Sequence, residues 1–177
     1  MIGFLRLAGL LNAAVWFGAA IFFTLGAGPA VFSQDMKDAL RQNNPYFYGA
    51  IAQVLISRYF RLQMICGVIA PLHLVMESLY LGKSSQRLQA RLVIALFAAV
   101  MVGGLWLQPR LKTLNLVRYS PASRPEVAAA AAQTFHTWHG VAQAINLAMV
   151  GGLAVYLWGV ANSSEPTRFV SGAKFRS

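Results

Sequence analysis

Apolar residues in this chain do not alternate with polar ones but gather in four long blocks, roughly Phe4 to Phe32, Phe60 to Leu81, Leu92 to Leu107 and Val141 to Val160. About 20 apolar residues cover a hydrocarbon core of about 30 Å, and within lipid only helices and closed barrels satisfy their own backbone. The pattern predicts an all-α, polytopic membrane protein and excludes a water-soluble globule. The first block is longer than the apolar core of a cleaved leader, about 7–15 residues, and reads as a retained span.

The polar stretches between blocks mark the helix bounds. Helices are expected at about residues 3–42, 45–81, 87–117 and 124–161, forming a transmembrane domain over 1–162 with a basic tail at 163–177. Gly26, Gly28 and Pro29 interrupt the first helix softly, and Ser33 to Arg41 reads as a polar continuation of it. Asn44 is placed to cap a helix that begins at Pro45. Ser123 through Glu126 fits a capping box, with Ser123 as the cap and Glu126 reaching back. The second and fourth helices are each about 55 Å long at 1.5 Å per residue, well beyond the hydrocarbon thickness. The fold predicted is an up-down four-helix bundle whose two long helical hairpins project on one side. The hairpins are alike in length, but no internal repeat is evident from the residues themselves.

Composition sharpens this picture. Of 177 residues 57% are hydrophobic and only 11% charged, against about 25% charged in soluble domains. The net charge of +10 does not point to nucleic acid, because the basic residues fall at helix ends where phospholipid headgroups lie. Cys66 is the single cysteine, so no intrachain disulfide forms. Basic residues divide almost evenly between the two ends of the bundle. Those beside the short link and the two termini, including Lys83, Arg87, Arg91, Arg168, Lys174 and Arg176, place both termini on the cytoplasmic side of a bacterial inner membrane. Small residues four apart, among them Ala14 and Gly18, Ala95, Ala99 and Gly103, and Ala148 and Gly152, are expected to let helices approach closely.

Polar groups in hydrocarbon are costly, which makes them the best functional leads. Cys66, His73 and Glu77 lie on one face of the second helix at spacings of seven and four. They are candidate metal ligands, or His73 and Glu77 pair with each other while Glu77 neutralises Arg6 or Arg91. Pro71 between them is expected to kink the helix. In the fourth helix His139, Gln143 and Asn146 form a polar stripe expected to face the bundle interior, toward Arg58, Gln108 or Arg110. His136 joins His139 as a second possible metal pair. His73 and His139 differ in depth, which disfavours a bis-histidine haem between them. One axial histidine for haem or pigment remains a reading. No cofactor is required by any motif, and no paired carboxylates, nucleophile or metal triad mark an enzyme.

Val15-Trp16-Phe17-Gly18 through Pro29-Ala30-Val31-Phe32, Ser57-Arg58-Tyr59-Phe60, Gln108-Pro109-Arg110-Leu111, and Phe135 through His139 to Asn146 resemble the bacterial transmembrane-protein-205-like family. That family is distantly similar to CopD-type copper-resistance membrane proteins. The resemblance implies a four-helix membrane protein of undefined biochemical role. The copper-capturing methionine- or histidine-rich tracts of the CopD type are missing from this chain, whose six methionines are scattered.

The function expected is that of a non-catalytic membrane protein, an accessory or scaffold subunit of a larger complex. Its partners are membrane lipids and other membrane subunits or further copies of itself, with Arg168, Lys174 and Arg176 at lipid or protein. Small-ion handling, of a copper-type metal or of protons, is the alternative, and a haem- or pigment-binding subunit the third.

Overall fold

The computed structural model describes residues 2–40, 45–81 and 87–162. Helix α1 is α-helical over Ile2–Ile21, opens into a π-turn over Phe22–Ala27 and returns to α-helix over Gly28–Val31. A short surface helix, α2, follows at Gln34–Leu40. Helix α3 spans Pro45–Leu81. Helix α4 begins at Arg87, opens into a π-turn over Val102–Leu107 and continues through Gln108–Tyr119. Helix α5 spans Pro125–Ala161. No strand occurs among the described residues, and α1, α3, α4 and α5 are each long and apolar enough to cross a membrane.

The four long helices form an antiparallel ring in which α1 packs on α3, α3 on α4, α4 on α5, and α5 back on α1. The buried centre is aliphatic and aromatic, with Ala13, Trp16, Ala20, Val93, Val100, Leu153 and Tyr156 at its middle. Many more large apolar side chains are exposed than are buried. In water that would be untenable, but in hydrocarbon there is no cost in facing lipid.

Three expectations need correction. Helix α1 does not run on to residue 42. It stops at Val31, because Phe32 leaves helical geometry at φ −102° and ψ 6°, and the polar segment forms the separate helix α2. The capping box is not made either. Arg124 in extended geometry is the residue ahead of α5, no side chain caps it, and Pro125 fixes the first helical φ instead. The Asn44 cap and the short link at residues 82–86 lie outside the described residues.

The two hairpins also repeat, where no internal repeat was expected. The π-turns begin at Phe22 and Val102, the prolines behind them are Pro29 and Pro109, and the returning helices start at Pro45 and Pro125. Each pair is 80 residues apart, and α3 and α5 both contain 37 residues. The core follows the same offset: Ala13, Trp16 and Ala20 are matched by Val93, Leu96 and Val100, and His73 by Leu153, all buried. The bundle is therefore two copies of one helical hairpin, related by an approximate two-fold rotation about the bundle axis. The cause of each π-turn is local. A proline has no N–H for the carbonyl four residues back, and the N–H just before it, of Gly28 or Gln108, reaches to Phe23 or Gly103, five residues back.

Candidate functional site

The polar side chains inside the bundle do not form a single cluster. They lie one after another along α3, each tied to a different neighbour. His73 is buried against α1, where its Nε2 donates to the Leu5 carbonyl at 2.9 Å. Gly9 makes this approach possible: a Cβ there would lie 2.3 Å from the imidazole. One helical stretch further along, Asn12 donates from Nδ2 to the Cys66 carbonyl at 3.1 Å. Next, Trp16 Nε1 donates to Gln63 Oε1. Beyond that, the Tyr59 hydroxyl donates to Asn146 Oδ1 at 2.8 Å, and Asn146 Nδ2 donates to Thr24 Oγ1 at 2.7 Å. Thr24 donates back to the Ala20 carbonyl at 2.7 Å. The line ends where Gln108 Nε2 donates to Ser57 Oγ at 3.0 Å. From Ser57 to His73 it covers about 24 Å at 1.5 Å per residue, most of a hydrocarbon core.

Asn146 joins three helices, α5, α3 and α1. The Phe23 ring, stacked on Tyr59 with centroids 4.2 Å apart, holds the phenol where its hydroxyl meets the amide. Beside this junction is a cavity of about 30 Å³ lined by Tyr59, Gln63, Gly103 and Asn146 together with apolar side chains. That volume exceeds the roughly 10–15 Å³ one water needs. Gln63 is 1% exposed and its Nε2 has no hydrogen-bond partner among the described residues. Because the Trp16 N–H can bond only to an acceptor, the amide oxygen is fixed toward α1 and its nitrogen is left as a buried donor. The cavity is walled by α3, α4 and α5, so it lies at the seam between the two hairpins.

The sequence-based candidates are dispersed rather than assembled. Cys66 is buried in the core. His73 turns to the Leu5 carbonyl instead of pairing with Glu77, because the imidazole is drawn into the gap beside Gly9. Its Nε2 is thereby committed, which argues against axial ligation through that nitrogen. Glu77 is half-buried. Among the described residues no three histidine, cysteine or carboxylate side chains come together as a metal site. The helix α5 stripe also divides. Asn146 turns inward, but its partners are Tyr59 and Thr24 rather than Arg58, Gln108 or Arg110. Gln143 is exposed, and His139 stacks on Phe135 at 5.5 Å. His136 is exposed and meets the edge of Phe135. The stripe splits because steps of four and three residues turn the helix face by about 40° one way and about 60° back at 3.6 residues per turn, which puts Gln143 and Asn146 at its two edges, the one exposed and the other turned inward. Arg168, Lys174 and Arg176 lie outside the described residues.

Reading the sequence for histidine, cysteine and carboxylate passes over Gln63, Asn12 and Thr24. Their signal was still present: Tyr59, Gln63, Cys66, Ala70 and His73 recur at three and four residues and are all buried, which marks the inward face of α3.

Three of the four long helices carry the sequence by which the chain is classified: residues 11–120 match a family described as a domain of unknown function, DUF4149. The chain belongs to the DUF4149 family. The match runs from the third turn of α1 to the end of α4, and so contains the Trp16–Gln63 pair, both π-turns and the α3–α4 seam. The DUF4149 family is uncharacterised, so it names neither a ligand nor a reaction. No curated protein and no solved structure matches the chain, and no relative of the transmembrane-protein-205-like or CopD type is named.

Proposed function

We propose that this DUF4149 member is a non-catalytic accessory or scaffold subunit of a larger membrane complex, in a bacterial inner membrane with both termini cytoplasmic. The observation behind this reading is the outer face of α5. Gly140, Ala144, Ala148 and Gly151 follow one another at four, four and three residues, all exposed, and the space at the glycine Cβ positions is open. Rows of small residues let a second transmembrane helix approach closely. Inside the bundle close approach relies on other positions, such as Gly9, Gly103 and Gly152, so among the described residues this row is left facing outward. The resemblance to transmembrane-protein-205-like proteins is consistent with such a role without specifying it.

Native mass spectrometry on protein extracted from its own membrane in mild detergent tests the proposal. Added mass from other chains is expected, and it should be lost in an Ala144→Leu, Ala148→Leu variant that keeps its thermal stability. A lone chain, or a complex indifferent to those two leucines, overturns it.

A second reading, proton or small-ion handling, is favoured by one observation, the buried Gln63 donor beside a cavity at the hairpin seam. Sites at repeat interfaces are common in transporters built from internal repeats. Reconstituted vesicles carrying a pH-sensitive dye decide this. Flux above that of protein-free vesicles, reduced by Gln63→Leu, supports it, and no flux removes it.

A further inference from the structure

Where the apolar block of α4 ends at Leu107 and that of α5 begins at Val141, an arginine is held in a way that suits a ligand. The Arg110 guanidinium lies 5.4 Å from the Trp106 ring centroid and 5.0 Å from that of Trp138. The two indoles meet edge to face, 5.1 Å apart at 85°. Trp106 is 48% exposed and Arg110 is exposed, so the assembly opens outward. An arginine on an aromatic face keeps the rim of its planar fork free, and that rim matches phosphate two oxygens at a time. No carboxylate or hydrogen-bond acceptor takes those N–H groups among the described residues, in a chain with five acidic residues for fifteen basic ones.

Depth identifies the ligand. Tryptophan gathers at the boundary between hydrocarbon and headgroup, and Arg110 follows the last apolar residue of the block by one helical turn. That is the level of lipid phosphate. Arg118 is also stacked, 4.8 Å from the Tyr119 ring, but it lies about 12 Å further along the helix axis at 1.5 Å per residue, beyond that level.

We propose that Arg110, clasped by Trp106 and Trp138, binds the phosphate of an anionic phospholipid, whose acyl chains then lie along the α4–α5 surface. The tryptophans pre-orient the cation, so the site does more than add one charge to a basic surface.

Native mass spectrometry of the full chain titrated with phosphatidylglycerol or phosphatidylcholine tests this. The protein should bind one phosphatidylglycerol more tightly than phosphatidylcholine. Arg110→Gln should weaken that lipid by about 5-fold, the effect of removing one surface cation, without changing phosphatidylcholine. Arg110→Lys should restore only part of the loss, since an ammonium neither stacks nor forks, and it keeps the assay informative if the glutamine variant folds poorly. Trp106→Leu should weaken phosphatidylglycerol as well. Lys112→Gln, which removes an exposed charge two residues on and so on a different face of the helix, should leave binding unchanged. Equal losses for Arg110 and Lys112 would reduce the site to diffuse charge and overturn the proposal. So would displacement of the lipid by millimolar glycerol phosphate, which would mark a site for free phosphate.

Discussion

Trp16 and Gln63 are hydrogen-bonded to each other at the middle of the bundle, the indole N–H to the amide oxygen, and neither is more than 1% exposed. The bond joins α1 to α3 inside the first hairpin, and both side chains are buried. Gln63→Leu should therefore cost about 1–3 kcal/mol, the penalty for orphaning a buried donor. Adding Trp16→Phe removes that orphan. The double variant should lie above the sum of the two single losses by roughly 0.6–1.7 kcal/mol, the range measured for such bonds in membranes. Equilibrium unfolding in mixed detergent provides the cycle, and strict additivity would mean that the bond contributes nothing.

Asn146 and Gln143 are three residues apart on α5 and should behave as if in different proteins. Asn146→Ala removes both bonds of a side chain that joins three helices and should cost about 1–3 kcal/mol. Gln143→Ala changes an exposed position and should stay within about 0.5 kcal/mol of the parent. Thermal unfolding of the pair read by circular dichroism separates them.

Gly9 and His73 form a similar contrast with Gly18. A methyl at Gly9 would meet three imidazole atoms between 2.3 and 2.9 Å away, so Gly9→Ala should destabilise by about 1–3 kcal/mol through overpacking. With His73→Ala in the same chain the clash disappears, and the loss from Gly9→Ala should shrink toward zero. Gly18→Ala meets nothing within 4 Å and should be neutral or stabilising by up to about 1 kcal/mol, the helix-propensity gain. A destabilised Gly18→Ala variant would show that α1 packs differently in the membrane.

Division of the chain between Leu81 and Arg87 separates the two hairpins. Co-expressed fragments should associate and co-purify, since the seams α1–α5 and α3–α4 bury surface on both copies. Tagged first hairpin that fails to retain the second in mild detergent would argue that the hairpins do not fold as units.

The four spans, and the start of α3 at Pro45, were legible because apolar block length and proline act locally. The site was less so. Histidine and cysteine drew attention through their chemistry, yet His73 is committed to the Leu5 carbonyl and Cys66 contributes its backbone carbonyl to Asn12. Gln63 and Thr24, which carry no charge, hold the helices together, and their partners lie 47 and 122 residues away in sequence. No local pattern encodes such distances. The 80-residue repeat escaped notice for another reason. Equivalent positions keep their burial but not their identity, as Trp16 and Leu96 or His73 and Leu153 show, whereas the few that keep identity, such as Gln63 and Gln143, face different surroundings.

The duplicated unit contains two spans, and that parity has a consequence for how the chain enters a membrane. A repeat of three spans would leave its second copy upside down, and the distribution of lysine and arginine would have to reverse between copies to hold it there. A repeat of two returns the chain to the face from which it started. Both copies therefore insert in the same sense, each π-turn comes at the same depth as its counterpart, and one charge rule serves the whole length of the protein. Near-equal numbers of basic residues at the two ends of the bundle are tolerable on those terms, because the second hairpin only has to follow the first.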